Sequence, residues 1–324
     1  MRRLRSVASA WAIAALFTAT LASGASATFP GSNGRIAFAA FDPSADKAFI
    51  YSVRSDGSDE QQLSTVDSGS PDWSPDGGRI AFDFLASDGC TDTACEVELG
   101  IMNADGSGFV QLTSGDPFFR FTPSWSPDGT KLVFGRFDGI WIVDAATGAN
   151  ETQVTDNPYI EDRAPTWSPD GQWIAFTRVR HQAKREQTAI YAVHPDGTGL
   201  YRVTNWGDNA DSPDWAPDGS RIAYNTKGTN AAPSRIATIK PNGTGMTDVV
   251  KSTDEADFHE PSWSPDGTKL TFQGWLLGAT PIPPHPPRER ALWTINADGS
   301  GLQRIIGRGA GGPEIVAPDW GAAD

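Results

Sequence analysis

A tryptophan two residues after a proline recurs six times and limits the folds open to this chain. The six copies of this P-x-W phrase are at Trp73, Trp125, Trp167, Trp215, Trp263 and Trp320. Five of them continue into S-P-D-G or A-P-D-G and then into a glycine-led apolar stretch such as "GGRIAF" at residues 77–82. The mean spacing is about 49 residues, and a period of this length is typical of an array of repeated supersecondary units.

Each repeat contains the patterns of four short strands. The first carries P-x-W, the second G-x-x-Φ-x-F, the third alternates as in "FIYSV" or "GIWIV", and the fourth ends in "QLT" or "RVT". A D-G, N-G or T-G turn precedes the fourth strand in every copy. The apolar period is two, as in half-buried strands. The sequence therefore predicts an all-β fold, a six-bladed β-propeller with four-stranded antiparallel blades.

The two ends of the chain complement each other. The first repeat has the second strand, "GRIAF" at residues 34–38, without a P-x-W strand before it. The last repeat has "APDWG" at residues 317–321 without a second strand after it. We therefore expect the C-terminal strand to complete the first blade and close the ring, which leaves no exposed sheet edge. Residues 28–324 are predicted to be one domain.

The aspartates of the S-P-D-G phrase are predicted to form turns. Proline presets φ, serine and aspartate bond to neighbouring backbone, and glycine closes a hairpin between the first two strands. The five aspartates are Asp76, Asp128, Asp170, Asp218 and Asp266. One large aromatic per blade fits packing between neighbouring sheets, so the six tryptophans are assigned to the core.

The repeat resembles that of TolB-type, WD-repeat-like propellers, P-x-W-S-P-D-G-x-x-I-A-F. The resemblance covers residues 29–321, and it implies a six-bladed propeller in the cell envelope or outside the cell. The same repeat occurs in propellers attached to prolyl-oligopeptidase-type peptidases. Those enzymes need a G-x-S-x-G nucleophile elbow, which this sequence does not contain, so peptidase activity is not expected.

Residues 1–27 have the pattern of a signal peptide. Three arginines precede the apolar run "AWAIAALFTATLA", and an A-x-A site ends at Ala27. The mature protein is expected to begin near Thr28 and to be periplasmic or extracellular. In such a compartment Cys90 and Cys95, in "GCTDTAC", are predicted to form a disulfide.

The net charge of −14 argues against two classes of partner. Nucleic acid and anionic lipid both need clustered lysine and arginine. The apolar run near the N-terminus is short for a bilayer crossing, and no second run follows, so no membrane span is expected. Histidines show no metal-ligand spacing, and no metal site or cofactor is predicted.

The position two residues before the repeat proline varies from copy to copy. It holds Gly69, Phe121, Arg163, Asp211, His259 and Val316. Strand order places this position near the mouth of the central channel, on the face of the variable connections and opposite the S-P-D-G turns. We predict a ligand-binding site of Arg163, Asp211, His259 and the adjacent Glu260. Such a group can bind a polar ligand or a metal, perform acid–base chemistry, or only satisfy loop backbone.

Three connections between second and third strands are unusual in composition. They are a cysteine-containing loop at residues 83–96, the basic stretch "TRVRHQAKREQ", and "QGWLLGATPIPPHPPRER". Loops on a rigid scaffold often carry binding residues. The Trp-Leu-Leu stretch in the third can contact a partner or pack locally under the proline run.

The first functional hypothesis is a monomeric, non-enzymatic, exported module that binds a protein or an envelope polysaccharide. The alternative is a lyase or hydrolase acting on a carbohydrate or lactone around Asp211 and His259. A third reading is a component of an envelope complex whose propeller docks a partner peptide. No catalytic residue is assigned, because no nucleophile–base pair stands out in the sequence.

Overall fold

The fold consists of six four-stranded antiparallel sheets, which confirms the predicted class. The computed structural model describes residues 31–86, 96–115, 119–156, 161–182, 185–228, 233–253, 256–276, 289–307 and 315–323. The predicted signal peptide and the predicted disulfide of Cys90 and Cys95 lie outside the described residues. One 3-10 helix, Trp206–Asp208, is found among them.

The strands are numbered in chain order, and the blades from the one that holds the first strand. The innermost strands of blades one to six are β24 (Ile315–Ala322), β4 (Ser68–Trp73), β8 (Phe121–Trp125), β12 (Asp162–Trp167), β16 (Ala210–Trp215) and β20 (Ala256–Trp263). The second strands are β1 (Asn33–Asp42), β5 (Arg79–Leu85), β9 (Lys131–Arg136), β13 (Ile174–Gln182), β17 (Ile222–Thr226) and β21 (Lys269–Leu276).

The third strands are β2 (Lys47–Val53), β6 (Val97–Asn103), β10 (Gly139–Asp144), β14 (Arg185–Val193), β18 (Arg235–Ile239) and β22 (Glu289–Asn296). The outermost strands are β3 (Gln61–Gln62), β7 (Val110–Gln111), β11 (Thr152–Gln153), β15 (Tyr201–Arg202), β19 (Thr247–Lys251) and β23 (Gln303–Gly307). None of the helical structure in the described ranges has the length and apolarity that a bilayer crossing requires.

The C-terminal strand closes the ring as predicted. β24 pairs antiparallel with β1, and Trp320 lies opposite Ile36 in the register. Blade one therefore has the strand order β24-β1-β2-β3. Because the two ends of the chain share one sheet, the first blade depends on residues almost 300 positions apart in sequence (Ile36 and Trp320).

The S-P-D-G aspartates form the predicted turns. In the first copy the Ser74 hydroxyl donates to Asp76 Oδ1 at 2.5 Å, and the Gly78 N–H donates to the same oxygen at 3.1 Å. These bonds, led by that from Ser74, hold the pKa of Asp76 below its usual value. Gly77 has a φ of 70°, the left-handed conformation that glycine adopts without strain.

The core consists of layers between neighbouring blades. Trp215 of blade five packs in one cluster with Ala175 and Ile190 of blade four. Trp125 and Trp320 are each 1 % exposed. This arrangement confirms that the repeated tryptophans join adjacent sheets, and it holds the six inner strands around one channel.

Candidate functional site at the channel and its mouth

The variable position lies in every inner strand, on the side of the repeat proline away from the S-P-D-G turn. Phe121 is the first residue of β8, Arg163 and Asp211 are the second residues of β12 and β16, and His259 is the fourth residue of β20. Arg163 lies opposite Thr177, and Asp211 lies opposite Asn225. These pairs are at the sheet ends away from the S-P-D-G hairpins, beside the connections from second to third strands. The mouth is therefore built by residues in which the six repeats differ.

Four charged side chains form a network across blades four and five. Arg163 Nη2 lies 2.6 Å from Asp211 Oδ2, and Lys227 Nζ lies 2.7 Å from Glu186 Oε1. Arg163 also lies 3.6 Å from Glu186, and Lys227 lies 3.6 Å from Asp211. Burial opposes the charge of Arg163, but Asp211 outweighs it, so the pKa of the guanidinium is raised. The network therefore has two cations and two anions that neutralise each other.

His259 contacts a carboxylate of its own strand. Its Nε2 lies 3.1 Å from Asp257 Oδ2, while Ser252 Oγ donates to Asp257 Oδ1 at 2.9 Å and Ser234 Oγ also donates to that oxygen. Although burial works against ionisation, the bonds from His259 and Ser234 keep the pKa of Asp257 below its ordinary value. Asp257 is therefore an oriented, ionised partner for His259.

Glu260 joins blade six to blade one. Its Oε2 accepts hydrogen bonds from Gln273 Nε2 at 2.6 Å and from the Ala317 N–H at 2.7 Å. Burial raises the pKa of this carboxyl group. Of the four predicted site residues, the structure thus joins Arg163 and Asp211, places His259 on Asp257, and gives Glu260 bonds between blades.

The residue before each repeat proline has a positive φ of 43–53°. These six residues are Ser70, Thr122, Ala164, Ser212, Glu260 and Ala317. In several blades the N–H that this conformation turns outward donates to a side chain of the preceding blade. Thr122 donates to Asp83 Oδ2 at 2.9 Å, and Ser212 donates to Thr177 Oγ1 at 3.0 Å. These bonds offset the cost of a left-handed conformation in a non-glycine residue.

Below the mouth, the middle residue of each P-x-W phrase faces the channel. Around the ring these residues are Asp319, Asp72, Ser124, Thr166, Asp214 and Ser262. They line a cavity of about 170 Å³ together with the residues before each proline. Their position at the channel was not predicted from the sequence. The available signal was the polar identity of this position in all six copies, next to a tryptophan assigned to the core.

The channel carboxylates are held in a poorly solvated environment. Asp72, Asp214 and Asp319 are partly exposed, and all three line the cavity. Burial raises the pKa of Asp214 to about 8. Burial, together with the charge of Asp319, also raises the pKa of Asp72. Asp214 therefore retains its proton at neutral pH, so its carboxyl group can donate as well as accept hydrogen bonds.

No group of three or more His, Cys, Asp or Glu side chains is arranged to hold a metal ion within the described ranges. The side chains at the mouth offer hydrogen-bond donors and acceptors and paired charges. This chemistry suits reversible binding of a polar ligand.

Comparison with known proteins agrees with this architecture. Residues 116–322 match the family model of the TolB beta propeller domain. The chain belongs to this family. No curated protein matches it in sequence.

Solved structures with the same fold are distant in sequence. TolB from Acinetobacter baumannii is 20 % identical with a TM-score of 0.68, over 91 % of this chain and 68 % of that one. A putative TolB from Agrobacterium tumefaciens is 19 % identical with a TM-score of 0.60, over 88 % and 92 %. An oligogalacturonate lyase in complex with manganese is 17 % identical with a TM-score of 0.55, over 86 % and 75 %. At these identities the similarity shows the fold alone.

Proposed function

We propose that this TolB-family propeller is an exported, monomeric binding module that holds a protein or an envelope polysaccharide across the channel mouth. The observation that carries the proposal is the network of Arg163, Asp211, Glu186 and Lys227. Its members come from two blades, and Glu186 and Lys227 are 41 % and 45 % exposed. They present ordered polar groups to solvent on the face of the variable connections.

The repeat supports this choice of surface. The residues that recur from copy to copy make the hairpins and the packing between blades, so the fold accounts for them. The four network side chains do not recur at the equivalent positions of the other blades, so the repeated fold does not account for them. Polar side chains on a rigid scaffold are the usual basis of specific recognition. Export is supported by the signal-peptide pattern of residues 1–27.

The second candidate is a lyase or hydrolase acting on a carbohydrate or lactone. One observation favours it, the contact of His259 with an Asp257 carboxylate that two serines orient. A carboxylate that orients a histidine is a frequent arrangement in acid–base catalysis. Measurable turnover of a polyuronate or a lactone, lost in His259→Ala but retained in Lys131→Gln, would favour this candidate over simple binding.

The binding proposal is tested with two matched exposed ion pairs. Lys227–Glu186 lies at the mouth, while Lys131–Asp144 has a similar distance of 2.8 Å near an S-P-D-G hairpin on the other face. The pairs are neutralised as Lys227→Gln with Glu186→Gln, and Lys131→Gln with Asp144→Asn. The probes are the separated protein and polysaccharide fractions of the source envelope, and the readout is their retention on immobilised propeller.

We expect the mouth variant to lose at least about fivefold in retention of one fraction, because each removed contact contributes on the order of 1 kcal/mol. The hairpin variant is expected to match the unmodified protein. Equal retention by both variants and the unmodified protein would overturn the proposal.

A further inference from the structure

An aromatic cluster lies at the mouth in blade three. Phe121 occupies the variable position, and its ring centre lies 6.0 Å from that of Phe137, with an angle of 62° between the rings. Phe119 lies 5.3 Å from Phe137 at 88°. The three rings form an edge-to-face group, a favourable aromatic arrangement. They hold one another in place at the rim of the channel.

Phe137 is the exposed member of this cluster. It stands between β9 and β10 in a tight turn that has only Phe137 and Asp138 between the strands, and 58 % of its surface is exposed. The turn is fixed from below, since Asp138 Oδ1 accepts from Trp141 Nε1 at 3.0 Å and Arg136 lies over the Trp141 ring. The exposed Phe137 ring, together with the partly exposed Phe119 and Phe121 rings that it contacts, therefore forms a small apolar patch rather than a single scattered apolar residue.

The charged network begins in the blade next to the one that holds this ring cluster. Phe121 and Arg163 hold the same register position in the adjacent inner strands β8 and β12. The cations of the network already face carboxylates, and Glu161 adds a further anion 3.4 Å from Arg163. Within this group three carboxylates outnumber two cations, so the group itself offers no net positive charge to an anionic ligand. A neutral ligand with many hydroxyl groups would find carboxylate acceptors and cationic donors in fixed positions.

We infer that the mouth between blades three and five binds a neutral glycan chain, with a sugar ring over Phe137 and hydroxyl groups on the exposed side chains of Glu186 and Lys227. This inference rests on the proposed binding function and narrows its partner. A sugar ring has an apolar C–H face and a polar rim. The surface offers an apolar ring beside paired charges, which matches both parts of that ligand.

Isothermal titration of the full chain tests the inference. The probes are neutral hexasaccharides of glucose, mannose, xylose and N-acetylglucosamine, with oligogalacturonate and an unstructured acidic and an unstructured basic peptide as alternatives. We expect at least one neutral glycan to bind, and Phe137→Ala to weaken it about tenfold or more, as for a central aromatic contact.

Two further variants distinguish loss of the contact between glycan and Phe137 from unfolding of the protein. Phe137→Trp keeps an aromatic ring in the exposed turn and is expected to retain binding. Leu302→Ala, a 43 % exposed position beside the D-G turn of blade six, is expected to leave it unchanged. Thermal melting of all variants checks that each is folded.

Failure of this inference differs from failure of the proposed function. If oligogalacturonate or a peptide binds and the neutral glycans do not, the glycan assignment is wrong. The binding proposal then stands if the paired Lys227→Gln and Glu186→Gln changes weaken that ligand. If a neutral glycan binds equally well to Phe137→Ala, or if none binds at millimolar concentration, the assignment is also wrong. The retention experiment still decides the binding proposal by itself.

Discussion

The backbone N–H of Trp125 donates a 2.8 Å hydrogen bond to Oδ2 of Asp72, a carboxylate of the preceding blade. The same bond joins Trp73 to Asp319 at 2.8 Å and Trp263 to Asp214 at 2.7 Å. The polar residue of P-x-W in one blade thus ties down the tryptophan of a neighbouring blade. The channel ring is part of the packing between blades as well as the lining of a cavity.

Replacing Asp72 by alanine is expected to lower the free energy of unfolding by about 1–3 kcal/mol, because the Trp125 N–H loses its acceptor in a buried place. Urea denaturation at pH 6 measures the change. Thr166→Ala is the control at an equivalent channel position, where the hydroxyl lies 3.5 Å from Asp214 Oδ1 and contributes less. Equal losses in both variants would contradict a special role for the carboxylate.

The free energy of unfolding is expected to fall as the pH rises from about 4 towards 8. In the folded protein Asp214 keeps its proton up to about pH 8, whereas in the unfolded chain a carboxyl group loses it near pH 4. The folded state binds more protons between these values, so the stability present at low pH is lost as the pH approaches 8. Asp72 and Asp319 have raised pKa values and act in the same direction.

Calorimetry between pH 5.5 and 8.5 checks this expectation. The melting temperature of the unmodified protein should fall by roughly 3–6 °C over this range, the effect of about 1–2 kcal/mol in a domain of this size. Asp214→Asn keeps an acceptor oxygen but has no proton to lose, so its melting temperature should depend less on pH. If the melting temperature of Asp214→Asn changed with pH as steeply as that of the unmodified protein, groups other than Asp214 would control the pH dependence of stability.

Arg120 is expected to be a major contributor to stability. Its side chain is 4 % exposed, and it contacts Glu98 Oε2 and Glu151 Oε1, each at 2.9 Å. Removing it leaves the fully buried Glu98 without this cation, so Arg120→Ala should cost about 3–5 kcal/mol. Lys131→Ala breaks an exposed pair with Asp144 and should cost less than about 1 kcal/mol. Chemical denaturation measures the free energy of unfolding of both variants. Similar losses of stability in the two variants would argue against a major contribution from Arg120.

The closing strand β24 is expected to contribute as much to the free energy of unfolding as the inner strand of another blade. Trp320 of β24 is 1 % exposed and packs with Ile36 and Phe38, as Trp125 packs between blades two and three. Trp320→Ala and Trp125→Ala should each cost about 3–5 kcal/mol, because both leave a large cavity. The two variants are compared by their midpoints of chemical denaturation. A much smaller loss for Trp320→Ala would indicate that the first blade is stable without its terminal strand.

The predicted site was only partly recoverable from the sequence. Register in the repeat placed Arg163 and Asp211 on adjacent blades, and they form an ion pair. Glu186 and Lys227 were not predicted to join them, because they come from β14 and from the residue after β17, and no shared motif links those positions. Phe137 was missed for a similar reason. Its importance follows from its exposure and its neighbours, which the repeat pattern does not encode.

By itself, the sequence determined the number of blades, the hairpins, the tryptophan layers and the closure of the ring. Strand alternation, turn chemistry and a fixed period are local properties, and six copies reinforce each of them. Only the tertiary structure decided that the middle residue of P-x-W holds the next blade, that Glu260 bonds between blades, and which charges neutralise one another at the mouth. Those outcomes depend on distances between blades and on desolvation inside a closed ring, which arise only when all six sheets are in place.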